Sequence, residues 1–334
     1  MTWKDLKKLA HSNAVFIEGI PDTFMRTVYA AQLTLYSLCL DKLVDKLETE
    51  NGEISNNSKN RKLIAAFSII YETFRIDEIQ PIVNEMVDNI SEITQNNIDY
   101  YHSLFSFSEQ FKDSDNLDTF NSNDAFKVSQ DLPITDVHQT INFRLGITEA
   151  GAIVSAGFLF NLYHDKSVVT EIQQSVYKGM ITGSPITDLK DSLKSDIVGE
   201  TEMIPDESGN KIEKVTKNGM LGRVFSPVAN DVFTQVDRTA STVISNAIDL
   251  KYFIYSGTVR KNSRAFCIPK CNKVFSTDDA KEWINEDPGP IAVDKDTYDP
   301  ILQCGGINCY HICMFITDEL YKVLKDQDSD LIPA

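Results

Sequence analysis

ILQCGGINCYHICMFIT, Ile301–Thr317, places three cysteines and a histidine within ten residues. Two further cysteines lie about forty residues upstream, in SRAFCIPKCNKVF, Ser263–Phe275. Together they read C-x3-C, a gap of 32 residues, then C-x4-C-x-H-x-C. Five of the six cysteines (Cys267, Cys271, Cys304, Cys309 and Cys313) thus fall in a 47-residue window. In a reducing compartment such clustering favours metal over disulfide.

Zinc takes four S or N ligands in a tetrahedron, commonly as two close pairs from two turns. Cys267 with Cys271 supplies one pair. Cys309 with His311 supplies the other, with Cys304 and Cys313 as alternates. In a strand, C-x-H-x-C sends Cys309, His311 and Cys313 to one face. The glycines of CGGIN allow a tight turn around an ion or an aromatic ring. Other readings stay open: a core of reduced cysteines without metal, a catalytic cysteine with His311 as base, or disulfides in a chain that ends up outside a cell. The sixth cysteine, Cys39, lies alone in an apolar helical pattern and reads as a free buried thiol.

Outward from this cluster the chain reads as helical. Phe24, Val28, Ala31, Leu35 and Leu38 place one apolar face on a helix from Pro21 to about Leu47. The Gly- and Asn-rich stretch 48–60 reads as a loop. A helix follows from Arg61 to Phe74, then another carrying Ile79, Val83, Met86, Ile90 and Ile93. Residues 103–131 lack periodicity and read as a connection. Helices resume over 134–166 and 167–180, with the apolar run GAIVSAGFLFNLY (151–163) read as a buried helix. Ser184, Pro185 and Thr187 offer helix-start chemistry. Two short segments flanking DESGN (206–210) read as a β-hairpin. A long helix runs from about Pro227 to Asp249, where Asp237 and Arg238 read as a solvated or helix-surface pair, with a buried ion pair as the alternative.

The expected fold is therefore mainly α, a helical bundle with a small C-terminal α+β Cys/His-rich module. In order it comprises an N-terminal helical region (1–130), a long-helix region (131–250), the module (251–320) and an acidic tail (321–334).

Net charge is −17 over 334 residues, with a sequence pI near 4.7. That balance argues against strong nucleic-acid binding, which runs on clustered Lys and Arg. The start of the chain lacks the apolar run of a secretory signal, and no stretch reaches the eighteen or more apolar residues of a membrane span. A soluble chain made in a cytoplasm is expected. His11, His102, His138 and His164 stand apart from other ligand types. No phosphate-cradling glycine loop, H-E-x-x-H or G-x-S-x-G is present, so no motif specifies an enzyme.

The cysteine region resembles the end of phage minor head proteins of the Mu F-like head morphogenesis type. Tyr255 and Gly257 match an opening turn; Ser263, Arg264 and Cys267 match a Ser/Thr-Arg-x-x-Cys element. Lys273, Phe275 and Trp283 match a turn and a Trp-bearing helix, and Gly305, Gly306, Asn308, Cys309 and His311 match the close. The resemblance spans Gln173 to Leu320. Cys271, Asn272 and Tyr310 depart from it, and Cys304 and Cys313 are additional. It implies a structural virion protein, made in the host cytoplasm and present in several copies. Its expected partners are portal, capsid or neck and tail proteins, and its role is head assembly or genome delivery, without catalysis. A structural Zn2+ would hold the module, with Arg264 as an orienting residue beside the Gly305–Gly306 turn. Two alternatives remain from other classes, a virion-carried zinc- or cysteine-dependent hydrolase and a zinc-stapled nucleic-acid-binding module.

Overall fold

The computed structural model describes residues 3–110, 132–148, 150, 152–205, 211–261, 263–291 and 297–327. These residues are mainly helical, with a small C-terminal strand module. They pack as two units, each assembled from separate stretches of chain: residues 1–21, 88–152 and 230–334 in one, 22–87 and 153–229 in the other. The consecutive regions read from the sequence are thus interleaved. The cause is helix length, because α1 (Trp3–Lys42), α3 (Gln80–Gln110) and α8 (Met220–Ala247) each contribute residues to both units.

The unit built from 22–87 and 153–229 is a helical assembly with two hairpins. Phe24, Val28, Leu35 and Cys39 of α1 are buried with Ile64, Phe67 and Tyr71 of α2 (Ser58–Phe74). Val169, Ile172 and Val176 of α6 (Ser167–Thr182) and Leu189 and Leu193 of α7 (Ile186–Ile197) complete this core. Asn57 caps α2 through Asn60 N–H, as its side-chain oxygen suits it to do. The short hairpin β1 (Thr49–Glu50) and β2 (Glu53–Ile54) lies inside the stretch read as a loop. The longer one pairs β3 (Gly199–Pro205) antiparallel with β4 (Lys211–Asn218); DESGN lies outside the described residues. Gly219 is confined: an added Cβ would lie 2.2 Å from Ile197 O.

Four boundaries differ from the sequence reading. Helix α1 starts long before Pro21 and passes through it, forfeiting one backbone bond. Between α2 and α3 the chain does not break but makes a π-turn, Arg75–Ile79, with Gln80 N–H bonding Arg75 O five residues back. Pro81 follows at once, and the wider turn accommodates a residue that lacks the N–H of an α-helix. Among the described residues of the run 151–163, only α5, Phe158–Tyr163, is helical, and Ile153 and Val154 are exposed. The preceding helix α4 (Ile134–Leu145) ends at Gly146, which takes a left-handed φ of 73°. Residues 103–110 continue α3, and 111–131 lie outside the described residues.

The other unit carries the C-terminal module. Its sheet is antiparallel in the order β6 (Lys273–Ser276), β5 (Tyr252–Ser256), β7 (Ile312–Ile316). Every residue of β7 and all but the first of β5 are buried, hence their near-continuous apolar runs. Register sets Phe253 opposite Phe275 and Phe315, and Tyr255 opposite Lys273 and Cys313. Trp283 closes one face with its ring edge-on to Phe253, Tyr255, Phe266 and Phe275 at centroid distances of 4.8 to 5.9 Å. It follows α9 (Thr277–Glu282), whose start is held by a capping box between Ser276 and Asp279. Helices α10 (Pro300–Gln303) and α11 (Asp318–Gln327) flank β7 in sequence.

Candidate metal centre

Three segments converge at the module's thiols. Cys267 lies in a single helical turn where Cys271 N–H bonds Cys267 O, so C-x3-C spacing sets the two residues one turn apart. Asn272 leaves that turn at φ 60°, a left-handed conformation that Asn tolerates better than most non-glycine residues. Cys309 and His311 come from the extended segment leading into β7. The sharp turn Cys304–Asn308 precedes them, with φ positive at Cys304, Gly306 and Asn308.

Cys267, Cys309 and His311 are buried together, and their ligand atoms all lie within 4.8 Å of one another. Sγ of Cys267 is 3.8 Å from Sγ of Cys309, which is 3.6 Å from Nδ1 of His311. A tetrahedral ion with metal–sulfur bonds of about 2.3 Å and metal–nitrogen bonds of about 2.0 Å has S···S edges of about 3.8 Å and S···N edges of about 3.5 Å. Two of the triad's edges thus match such a site, and the three residues could hold a metal ion. Its thiols are free, and 3.8 Å is far from a disulfide bond of about 2.05 Å.

The surroundings favour sulfur as an acceptor. Gly305 N–H donates to Cys309 Sγ at 3.2 Å, and Tyr255 O–H donates to Cys267 Sγ at 3.3 Å. Tyr255 also stacks on the His311 ring, with centroids 5.2 Å apart and planes 20° apart. Hydrogen bonding from Cys267, then from His311, holds the Cys309 thiol well below its ordinary value despite burial, with Arg238 adding to the effect. Cys267 is pushed up, first by sharing that hydrogen bond and then by burial, so the pair carries its first negative charge on Cys309. Burial pulls His311 down, yet hydrogen bonding with the Cys271 and Cys309 thiols outweighs it and lifts the imidazole to about 9.

Glycines make this approach feasible. An added Cβ at Gly305 would lie 2.5 Å from Cys267 Sγ and 3.1 Å from Cys309 Sγ. At Gly306 it would lie 2.1 Å from Pro290 O, and at Gly257 it would meet His311 Cδ2 at 2.8 Å.

The remaining expected site residues occupy different places. Cys271 lies beside His311 but outside the triad, with its thiol donating to Gly257 O at 2.9 Å. Cys304 and Cys313 form a second buried thiol pair, 3.9 Å apart. Cys313 thus does not share a site with Cys309 and His311: β7 begins only at Ile312, so strand alternation does not extend across the motif. Ser263 Oγ accepts Arg260 N–H at 2.7 Å, and Asn308 N–H donates to Asp231 Oδ1 at 2.7 Å. Arg264 donates to Ile307 O, one residue beyond the Gly305–Gly306 turn.

Arg238 is the residue that the sequence reading misplaced. It is 1% exposed, not solvated, and does not hydrogen-bond its neighbour Asp237. Its guanidinium donates to the carbonyls of His311 and Cys309 and, at 3.3 Å, to those of Leu302 and Gln303. It therefore clamps the backbone of two triad residues directly. Asp237 instead accepts from Asn97 Nδ2 at 2.8 Å and Asn13 Nδ2 at 3.4 Å. A signal was present: Asp237 and Arg238 are the only charged residues between Asp231 and Asp249. A lone charged pair in so long an uncharged helical run marks a buried polar contact.

Comparison of the chain with protein-family models, with curated proteins and with solved structures finds no match in any of the three.

Proposed function

We propose that this chain is a structural component of a phage particle, of the minor head type, whose C-terminal module is closed by a zinc ion. The family reading rests on the sequence resemblance. Its support here is that Tyr255, Gly257, Cys267, Gly305, Cys309 and His311, which carry the resemblance, belong to one buried cluster. The observation that carries the zinc reading is the triad's geometry, 3.8 Å between sulfurs and 3.6 Å from sulfur to imidazole, in a Cys/His donor set. Cys267, Cys309 and His311 are three ligands. Cys271 is the fourth, reached when its thiol turns from Gly257 O toward the site it adjoins. Zinc bound by four protein ligands has no open position and serves stability.

The test is metal analysis of the purified chain, with a count of reactive thiols and an assay of incorporation into particles. About one zinc per chain, thiols unreactive until a chelator is added, and loss of both metal and incorporation in Cys309→Ser are expected. A metal-free wild type that melts like Cys309→Ser would overturn the zinc reading. A chain absent from particles would overturn the virion reading.

One observation favours a second reading, a cysteine-dependent hydrolase: the acidified Cys309 thiol pairs with an imidazole and borders a small cavity. Against it, Gly305 N–H addresses the sulfur itself, not a position where an oxyanion would form. A single hyper-reactive thiol in the zinc-replete protein would favour it.

A further inference from the structure

We propose that the cavity beside the Cys/His cluster is a binding site for one small oxyanion, phosphate or carboxylate in class. The cavity measures about 130 Å³, and its lining includes Arg260, Ser263, Arg264, Cys267, Cys309 and His311. Arg264 is held from two directions. Its Nη2 donates to Ile307 O, and its side chain lies against Gly289, whose added Cβ would be 3.0 Å from Nε. Nη1 of the same guanidinium is buried and has no hydrogen-bond partner among the described residues. A guanidinium N–H removed from water without an acceptor is unfavourable, so a site that fixes one in place calls for an acceptor.

The second cation is Arg260. Its backbone N–H is tied to Ser263 Oγ, its guanidinium carbon lies over the Tyr310 ring at 4.4 Å from the centroid, and its Nη2 donates to Glu18 Oε2 at 3.1 Å. A second carboxylate, Asp231, accepts the N–H of Asn308, which also lines the cavity; Glu18 bonds Arg260, and its other oxygen takes Thr258 N–H at 2.9 Å. Both of its oxygens are thereby engaged within the protein. His311 also lines the cavity. The two guanidinium groups supply the forked N–H donors that a compact delocalised anion requires.

The inference does not require a metal at the triad. The experiment is calorimetric titration of the intact protein with inorganic phosphate and, separately, with acetate, at matched ionic strength. It is accompanied by a crystal structure of the phosphate-soaked protein. Saturable binding of one anion per chain is expected, with density between Arg264 and Arg260. Arg264→Lys, which keeps the charge but loses the planar fork, should weaken binding about tenfold or more. Arg260→Gln provides a second variant that leaves the Ile307 contact intact. A preference for phosphate over acetate, or the reverse, identifies the anion. Absence of saturable binding by either, unchanged binding in both variants, or only water in the cavity would overturn the inference. Anion binding by a chain that contains no metal would leave it standing while removing the zinc reading.

Discussion

Arg238 brings a positive charge to a position almost without solvent, where it survives only because four carbonyl groups converge on it. Truncation leaves those carbonyls buried and unsatisfied. Arg238→Ala is expected to destabilise the protein by about 3–5 kcal/mol in urea titration, and Arg238→Lys by less, because an ammonium cannot span the fork. Gly305 is constrained differently, by space: Gly305→Ala must displace the Cys267 and Cys309 sulfurs and should reduce bound metal, measured by elemental analysis. Asp237 supplies a pH test. Burial raises its carboxyl to about 6, against hydrogen bonds from Asn97 and attraction by Arg238 that act to lower it. The folded state then binds a proton that the unfolded chain has released by about pH 4. Stability from this group falls as pH rises from about 4 to 6 and is level above that, by on the order of 2–3 kcal/mol. Asp237→Asn should flatten that slope, and equal slopes in the two proteins would contradict the assignment.

Among the elements, the link between β2 and α2 depends on one buried amide. Asn60 Oδ1 accepts Glu48 N–H at 2.9 Å, and its Nδ2 donates to Glu48 O and Ser55 O at 2.9 and 2.8 Å. Asn60→Ala should cost about 2–3 kcal/mol and accelerate amide exchange over residues 48–57 more than elsewhere. In the module, Trp283 is the shared neighbour of four aromatic rings. Trp283→Ala should cost about 3–5 kcal/mol in thermal or chemical melting, through the cavity it leaves. The apolar periods that marked α1 and α3 were legible because helix faces repeat every three to four residues. Their ends were less so. Pro21 and Pro227 both lie inside helices, since packing along the remaining turns outweighs one lost backbone bond.

For the molecule as a whole, interleaving of the two units makes the ends of the chain and its middle interdependent within each unit. Ser256 O–H reaches Ala10 O, and Tyr100 O–H reaches Phe315 O, across more than two hundred residues. If zinc closes the module, a chelator should increase amide exchange over residues 252–316 first while leaving α2 and α6 protected. Uniform loss of protection would contradict a local staple. No helix among the described residues is long and apolar enough to cross a membrane. What the sequence by itself determined is the helical character, the Cys/His donor set and the need for glycine between the thiols, because these follow from local period and residue chemistry. Only the tertiary structure decided that Cys267, Cys309 and His311 meet, that Cys304 and Cys313 pair apart from them, and that Arg238 holds the ligand loop. Those contacts join residues far apart in the chain, and their distances depend on packing that no local pattern encodes.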